Sequence, residues 1–154
     1  FLAGSGGWRC GKRKGFKIDE GVKYEVYQDH LGLETFGVGH LVTHLDKEYG
    51  LPTGSKVSEE RVWEAFDIDL EVSVSECKIL YGDKAWDTFP EEVLQILCNM
   101  MFNMGRPRLS QFKKFNAAVK ERNWKEAAVE GRDSRWYNQV TNRAERLMAR
   151  LENV

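Results

Sequence analysis

The amino-acid sequence predicts an α+β protein with a short antiparallel sheet near its N terminus, one long helix, and a C-terminal half made of helices. Apolar and polar residues alternate over residues 23–27 and 33–40, which is typical of half-buried strands. From residue 58 the apolar residues recur at helical spacing, and beyond residue 90 they run almost without a break. These three patterns place the sheet before the helices along the chain.

Composition indicates one globular domain. The 154 residues are 42% hydrophobic and 31% charged, which excludes a disordered, collagen-like or coiled-coil chain. The net charge of −1 argues against nucleic-acid binding driven by overall charge. No apolar run approaches the ~20 residues that a membrane-spanning helix needs. We therefore expect neither a nucleic-acid partner nor a membrane span.

The cysteines predict no metal site. Cys10, Cys77 and Cys98 lack the paired spacing of zinc ligands. Cys77 and Cys98 fall on apolar faces of predicted helices, so we expect both to be buried. The odd number leaves at least one thiol unpaired within the chain, and the pairing of Cys10 stays open: to either of the others, between chains, or none.

The N-terminal third is predicted to be an arm, a short helix and a hairpin. Residues 1–11 are rich in glycine, and a helix over residues 12–20 would end at Gly21. Residues 23–27 form the first predicted strand and residues 33–40 the second. Residues 29–32 form the turn between them.

A long helix begins after Ser58. That serine suits the N-cap, and Glu59 and Glu60 suit the positive end of the helix dipole. The apolar positions at helical spacing are Val62, Phe66, Leu70 and Val74. The helix is predicted to run to about Leu80 and to bridge two lobes.

The C-terminal half is predicted to be helical throughout. Residues 93–104 have almost no polar face, so this helix should be the buried centre of the second lobe, ended by Gly105 and Pro107. Shorter helices are predicted over residues 110–121, 124–130, 134–138 and 142–153.

Two carboxylates are the candidates for acid and base chemistry. Glu20 falls at the negative C-terminal end of a predicted helix, which raises a carboxyl pKa and suits a general acid. Asp29 lies in the hairpin turn, nine residues on. Taken singly, each has an ordinary alternative, since Glu20 could be a solvated surface residue and Asp29 could serve only its own turn. Together they are typical of the pair that flanks a scissile glycosidic bond.

The second predicted strand adds a geometric indication. Alternation places Leu33, Thr35, Gly37 and Gly39 on one face and Glu34, Phe36, Val38 and His40 on the other. The glycines either leave the backbone open to a ligand or only accommodate twist and packing. His40 could be a ligand, a base or a structural residue, and an acid on the long helix such as Asp67 or Asp69 could pair with it.

Basic residues also cluster locally. Arg9 and residues 12–14 form one group, and Lys113 with Lys114 forms another. Such groups are usually solvated surface, and polyanion binding is the alternative.

Several collinear segments resemble one known family. Residues 18–21 (IDEG), 27–29 (YQD) and 35–41 (TFGVGHL) are similar to the active-site stretch of phage-type lysozymes, glycoside hydrolase family 24. The likeness continues at residues 99–105, 124–128, 134–139 and 142–144, and covers about residues 16–150 in order.

The resemblance implies a lysozyme-like fold and a muramidase that cuts the β-1,4 bond between N-acetylmuramic acid and N-acetylglucosamine in peptidoglycan. Glu20 would be the general acid. Asp29 would support the developing positive charge and, with Thr35, position the attacking water. The family is regarded as inverting, which expects the two carboxyl groups to lie about 6.5–9.5 Å apart.

The resemblance also implies the remaining site residues and the setting. Leu41, Phe102, Asn103 and Met104 would line the cleft, Arg143 would lie near the acid, and His40 would form a structural salt bridge with Asp69.

One domain over residues 1–154 would comprise residues 1–15 as the arm and the start of the first helix, 16–57 as the sheet lobe, 58–80 as the bridging helix and 81–154 as the helical lobe. No cofactor is needed, and we expect a monomer that acts on bacterial cell walls. It would be secreted in host defence, or phage-encoded and released to the wall.

Three rival interpretations are less consistent with these residues. A lytic transglycosylase cleaves the same bond with one acid and no water, and the presence of Asp29 and Thr35 argues against it. A non-catalytic peptidoglycan-binding protein would be expected to have lost Glu20 or Asp29. A helical interaction domain that carries the motifs by chance is disfavoured by the number of collinear matches.

Overall fold

The computed structural model describes residues 21–154. The expected arm and first helix, with Cys10 and Glu20, lie outside the described residues. The described residues divide into two compact units, one on each side of the boundary between Glu71 and Val72. In the described part, a three-stranded antiparallel sheet comes first and helices follow, which is the α+β, lysozyme-like fold that the sequence predicts.

The sheet consists of β1 (Lys23–Gln28), β2 (Glu34–Gly37) and β3 (His40–Leu41), in that spatial order. Thr35 of β2 pairs with Tyr27 of β1 and with Leu41 of β3. The first strand and the turn over residues 29–32 agree with the prediction.

The second strand was predicted wrongly as one segment over residues 33–40. The chain turns between Gly37 (φ 67°) and Gly39 (φ 69°), which separates β3 from β2. Only glycine adopts this left-handed backbone without strain, so the turn ends the alternation of faces beyond β2. A Cβ at Gly37 would lie 3.1 Å from Cγ1 of Val62, and this glycine therefore permits close packing and offers no open face. A Cβ at Gly39 would have no heavy atom of residues 21–154 within 4 Å.

The first unit has its own apolar core. Val26 and Phe36 of the sheet pack with Val57, Val62 and Ala65, and all five are buried. Val62 and Ala65 belong to α1 (Glu59–Tyr81), the predicted long helix. Ser58 Oγ accepts the backbone N–H of Arg61 at 3.1 Å, as an N-cap does. The boundary between the two units falls between Glu71 and Val72, inside α1.

The second unit is helical among the residues that the structure describes. Its helices are α2 (Asp83–Thr88), α3 (Glu91–Leu109), α4 (Lys113–Lys120), α5 (Trp124–Arg132), α6 (Arg135–Gln139) and α7 (Thr141–Glu152). α3 is interrupted at Gly105, whose φ of 77° is not helical. Its residues from Val93 to Met101 are mostly buried, which confirms the predicted centre of this unit. The six-residue helix α2 was not predicted.

Cys77 of α1 and Cys98 of α3 are fully buried, as expected, and both stand as thiols. Each helix within residues 21–154 is too short or too polar to cross a membrane.

Candidate active site

Asp29 lies at the end of β1, where its carboxylate organises the hairpin turn. Its Oδ1 accepts the backbone N–H groups of Leu31 at 2.8 Å and Leu33 at 2.9 Å. The backbone closes the same turn, because Asp29 N donates to Leu33 O and Gly32 N donates to Asp29 O, both at 2.9 Å. One carboxylate oxygen is therefore fixed by the turn, and Oδ2 has no hydrogen-bond partner within residues 21–154.

The turn also holds Asp29 in its charged form. Its pKa lies below the ordinary aspartate value, chiefly because the Leu33 amide bonds to the carboxylate. Partial desolvation acts in the opposite direction, while the Leu31 amide and the nearby His30 add to the lowering. Amide donors favour the ionised carboxylate, so Asp29 is a carboxylate at neutral pH and is not suited to be the proton donor.

Thr35 lies in the middle of β2 and is buried, with 3% of its surface exposed. Its Oγ1–H donates to the backbone carbonyl of Leu33 at 2.9 Å. With the hydroxyl proton committed, the oxygen lone pairs remain as acceptors. This hydroxyl is therefore oriented to accept a hydrogen bond, for example from a water molecule.

The strand register brings several candidate residues to one face of the sheet. Directly paired residues project to the same side, so Tyr27, Thr35 and Leu41 share a face. Leu41 is 47% exposed there. Leu33, two residues before Thr35, is on the same side and is 45% exposed.

Leu33 is a residue whose role the sequence reasoning missed. Its backbone N–H and C=O contact both candidate catalytic groups, and its apolar side chain remains accessible beside them. Alternation alone placed Leu33 on the face of Thr35, but only the hairpin geometry shows its contact with Asp29.

His40 contacts two carboxylates, one of which the resemblance implied. Its Nδ1 lies 2.7 Å from Oδ2 of Asp69 on α1, which confirms that predicted pair. Its Nε2 lies 3.0 Å from Oδ2 of Asp46, a partner that was not predicted. Burial acts to lower the pKa of His40, but the hydrogen bonds and charges of the two carboxylates outweigh it, and the pKa is raised.

Arg61 joins this network from the first turn of α1. Its Nε and Nη2 contact the two carboxylate oxygens of Glu48 at 2.9 and 3.0 Å. Its Nη2 also donates to Asp46 Oδ1 at 3.1 Å. The loop after β3 is thus held to α1, and the loop includes the acceptor that His40 uses.

The second unit contains the other candidate contact residues. Asn103 Nδ2 donates to the carbonyl and side-chain oxygens of Asn99, at 3.0 and 2.8 Å. Asn103 Oδ1 accepts from Arg143 Nη1 at 3.3 Å. Phe102 and Met104 flank Asn103 on α3. These three residues and Arg143 are all half-buried. The structure thus brings Asn103 and Arg143 together on α3 and α7.

Glu20, the predicted proton donor, lies outside the described residues. The described residues include the Asp29 carboxylate, whose Oδ1 is bound by two backbone amides, and the Thr35 hydroxyl, which donates to a backbone carbonyl. Within residues 21–154, no three His, Cys, Asp or Glu side chains gather in a way that could hold a metal ion.

Comparison with known proteins gives a consistent result. The family model described as phage lysozyme matches residues 17–153. The chain is 31% identical to probable T4-type lysozyme 2 of Dictyostelium discoideum, over 88% of this chain and 90% of that protein. It is 31% identical to peptidoglycan hydrolase gp36 of Pseudomonas phage phiKMV, over 90% of this chain and 15% of that protein. The pre-baseplate central spike protein Gp5 of Enterobacteria phage T4 is 30% identical over 84% of this chain and 25% of its own length.

Proposed function

Because the chain belongs to the phage lysozyme family, we propose that Glu20, Asp29 and Thr35 divide its catalytic chemistry among them. The chain is a glycoside hydrolase, a muramidase that acts on peptidoglycan. The observation that carries the proposal is the state of Asp29, whose Oδ1 is tied to two backbone amides and whose Oδ2 is unused among the described residues.

Asp29 is the base and the electrostatic partner of the sugar. Its lowered pKa keeps it negative at neutral pH, where it stabilises the positive charge that develops on the anomeric carbon. Because Oδ1 is fixed by the turn, Oδ2 has a defined direction in which to accept a proton from water. A rigid carboxylate loses little freedom on reaching the transition state.

Thr35 orients the attacking water. Its hydroxyl donates to Leu33 O and so presents lone pairs to a water hydrogen. A water held by Thr35 and Asp29 has one hydrogen bonded to each, which leaves its oxygen lone pair for the sugar.

Glu20 is the proton donor. It protonates the glycosidic oxygen as the bond to the anomeric carbon breaks, while water adds to that carbon and gives its proton to Asp29. The net reaction consumes one water, and the protein needs no cofactor. This assignment is supported by the position of Glu20 in the Ile18–Gly21 segment and by the charged state of Asp29, which makes a second carboxyl necessary as the acid.

Six further residues are proposed to contact the saccharide. Leu33 and Leu41 offer exposed apolar surface on the face of Thr35, and apolar side chains of this kind pack against the C–H faces of sugar rings. Arg143 offers its guanidinium, and Asn103 the remaining lone pair of its side-chain oxygen, to polar substituents of the substrate, and Phe102 and Met104 flank Asn103 on α3. We further propose that the protein is a monomer that is secreted or released to the bacterial wall and has bacteriolytic activity.

The alternative function is a non-catalytic peptidoglycan-binding protein of the same fold. It is separated from the muramidase by chemistry, because only the enzyme generates new reducing ends. A transglycosylase would instead leave 1,6-anhydro ends.

The test measures the clearing of purified bacterial cell walls together with the new reducing ends. Glu20→Gln and Asp29→Asn should each lower the rate by about 10²-fold or more, the scale expected of a positioned acid or base. Thr35→Ala should lose activity, and Thr35→Ser should recover most of it because the hydroxyl is restored. Asp87→Asn, at an exposed aspartate of α2, is the matched control and should be fully active.

The stereochemistry of the product provides a second test of the mechanism. A water attacking opposite the leaving group inverts the anomeric centre, so proton NMR of the first products should show the α-anomer. Clearing that survives both carboxamide substitutions would refute the assignment of Glu20 and Asp29. Wall binding without any clearing would favour the binding protein.

A further inference from the structure

Two segments of the second unit contain basic residues and no acidic ones. Residues 105–120 hold Arg106, Arg108, Lys113, Lys114 and Lys120 with no Asp or Glu, and residues 134–142 hold Arg135 alone among charged residues. The chain as a whole is nearly balanced, with 23 basic and 24 acidic residues. The positive charge is therefore concentrated in these two segments, which contain none of the proposed catalytic residues.

Contacts between side chains bring the two segments together. Phe112, directly before α4, packs edge-on against Trp136 of α6, with ring centroids 6.4 Å apart. Arg108 Nη2 donates to Gln139 Oε1 at the end of α6. The end of α3, the start of α4 and the helix α6 thus meet, and we call their exposed cations Arg108, Lys113, Lys114 and Arg135 the basic surface.

The basic surface is not neutralised by carboxylates of the described residues. Other arginines of the second unit have such partners: Arg132 contacts Glu145 and Glu152, and Arg150 contacts Glu92. In residues 21–154 no carboxylate pairs with a cation of the basic surface, and Arg108 is bonded only to a neutral amide. Because all four residues are exposed, the charge is available to a ligand.

Helix stability does not explain the two lysines. Lys113 and Lys114 occupy the first turn of α4, where the helix dipole is positive and repels cations. α1 and α3 instead place two glutamates each in the first turn. The arrangement in α4 is therefore unfavourable for the isolated protein and becomes favourable when an anion is bound.

We propose that the basic surface binds a phosphate-bearing anionic polymer of the bacterial cell wall. The inference rests on the proposed function, because wall cleavage is what brings the enzyme to such a polymer. Lysines act as point charges without a fixed geometry, and they suit a flexible chain of phosphodiesters better than a single planar carboxylate, which favours a two-pronged arginine. Nη2 of Arg108 already donates to Gln139, so the guanidinium is less able to bind a carboxylate with two parallel hydrogen bonds.

Polymer binding would retain the enzyme on the wall between cleavages. The interaction is electrostatic, so it should be strong at low salt and weaken steeply as salt rises. Hydrolysis of soluble peptidoglycan strands that lack phosphate should not depend on it.

The test compares Lys113→Gln/Lys114→Gln with a matched control, Lys84→Gln/Lys125→Gln. The control removes the same charge from exposed lysines of α2 and α5. Binding is measured as a function of salt on walls that carry the phosphate polymer, on the same walls after its chemical removal, and on the purified polymer. Anionic phospholipid vesicles and duplex DNA are tested in the same way. Because the first variant removes cations from a helix N-terminus, it should be at least as heat-stable as the parent.

The expected result is specific to the polymer. The basic-surface variant should bind polymer-bearing walls on the order of tenfold more weakly, and its log–log salt slope should fall by about 1.4, or about 0.7 for each lost phosphate contact. The control should match the parent, and all three proteins should cleave soluble phosphate-free strands equally fast.

Three outcomes would overturn the proposal. An equal loss in the control would make the effect one of net charge, and an equal loss on stripped walls would point to peptide carboxylates. Tight binding to anionic phospholipid vesicles or duplex DNA, with none to the polymer, would identify a different partner. If the parent binds the polymer and cleaves no wall, the proposed catalysis fails while this surface stands.

Discussion

His40 and Asp69 are joined by a 2.7 Å contact between imidazole Nδ1 and carboxylate Oδ2, which ties the last strand of the sheet to α1. The other ring nitrogen faces Asp46 at 3.0 Å. An ionised carboxylate can accept hydrogen bonds but cannot donate one, so both ring nitrogens of the imidazole must carry a proton to bond to the two carboxylates. A neutral ring has one N–H and leaves a nitrogen lone pair facing a carboxylate.

The first prediction is that alkaline conditions weaken the fold. The pKa of His40 is raised in the folded protein, whereas an unfolded histidine titrates near ~6.5. Its stabilisation is therefore complete below about pH 6.5 and is lost as pH rises through the folded pKa. We expect the free energy of unfolding, measured in urea, to fall by about 1.5–3 kcal/mol as pH rises, the value of a hydrogen bond to a charged group.

His40→Gln is the control for this titration. It should be less stable than the parent near pH 6 and should lack the fall at higher pH. A variant with the same pH profile as the parent would remove His40 from the explanation. Burial acts to raise the pKa of Asp46, but the Thr43 amide and the charges of His40 and Arg61 outweigh it, so the pKa is lowered. The contribution of Asp46 to stability is therefore lost at low pH, as pH falls through its folded pKa.

The second prediction separates backbone strain from steric overlap at two glycines. Gly37 and Gly39 both have a left-handed backbone, so alanine should cost about 1–2 kcal/mol at either position. At Gly37 the new Cβ would also lie 3.1 Å from Val62 Cγ1, which should add about 1–3 kcal/mol of overpacking.

Denaturant unfolding of Gly37→Ala, Gly39→Ala and both in a Val62→Ala background measures the difference. The extra cost at Gly37 should shrink when Val62 is shortened, and the cost at Gly39 should not. Equal costs at the two glycines in every background would show that Val62 imposes no restriction.

The third prediction concerns the partners of Arg61. Glu48 is 5% exposed, and removing its cation by Arg61→Met leaves a buried charge, which should cost about 3–5 kcal/mol. Glu48→Gln in the Arg61→Met background should recover part of that loss. Glu64→Gln removes a partner that is 63% exposed and should cost less than about 1 kcal/mol.

The three variants and the parent are compared by thermal and urea unfolding. A Glu64→Gln variant as unstable as Arg61→Met would mean that burial of Glu48 is not what makes the network strong.

The fourth prediction tests the role of Asn103. Its side-chain oxygen accepts from Arg143 and its amide donates to Asn99, so Asn103→Ala leaves both without this partner. If Asn103 and Arg143 contact the substrate, KM for soluble peptidoglycan strands should rise about tenfold, equivalent to ~1.4 kcal/mol of lost binding. Asn138→Ala, at an exposed asparagine of α6, is the matched control. An unchanged KM with reduced stability would make the Asn99–Asn103–Arg143 chain purely structural.

Much of the fold could be predicted because its elements are strongly periodic. The apolar spacing in α1 and the continuous apolar surface of α3 each identify a helix without tertiary information. The helix α2 was missed because its six residues are too few to show a period. The strand break at Gly37–Gly39 was missed because the surrounding Phe36 and Val38 continue the alternation that predicts a strand.

The candidate site was only partly predictable for a similar reason. Asp29 attracts attention as a second carboxylate near Glu20, whereas the role of Thr35 is implied only by the resemblance to lysozymes, and both roles stay predictions. The link from Leu33 to both groups depends on hydrogen bonds of the hairpin backbone, which residue types do not encode. The contact between His40 and Asp46 depends on the path of an irregular loop, so periodicity could not reveal it.

The burial of Cys77 and Cys98 allows the transient opening of the second unit to be measured by thiol labelling. Both thiols are completely inaccessible in the folded chain, so a thiol reagent can modify them only in molecules that have transiently opened. With Cys10→Ser in place, the labelling rate at saturating reagent gives the opening rate, and at low reagent it gives the opening equilibrium. The rate and the equilibrium of local opening around α1 and α3 can thus be measured without a dye or tag on the protein.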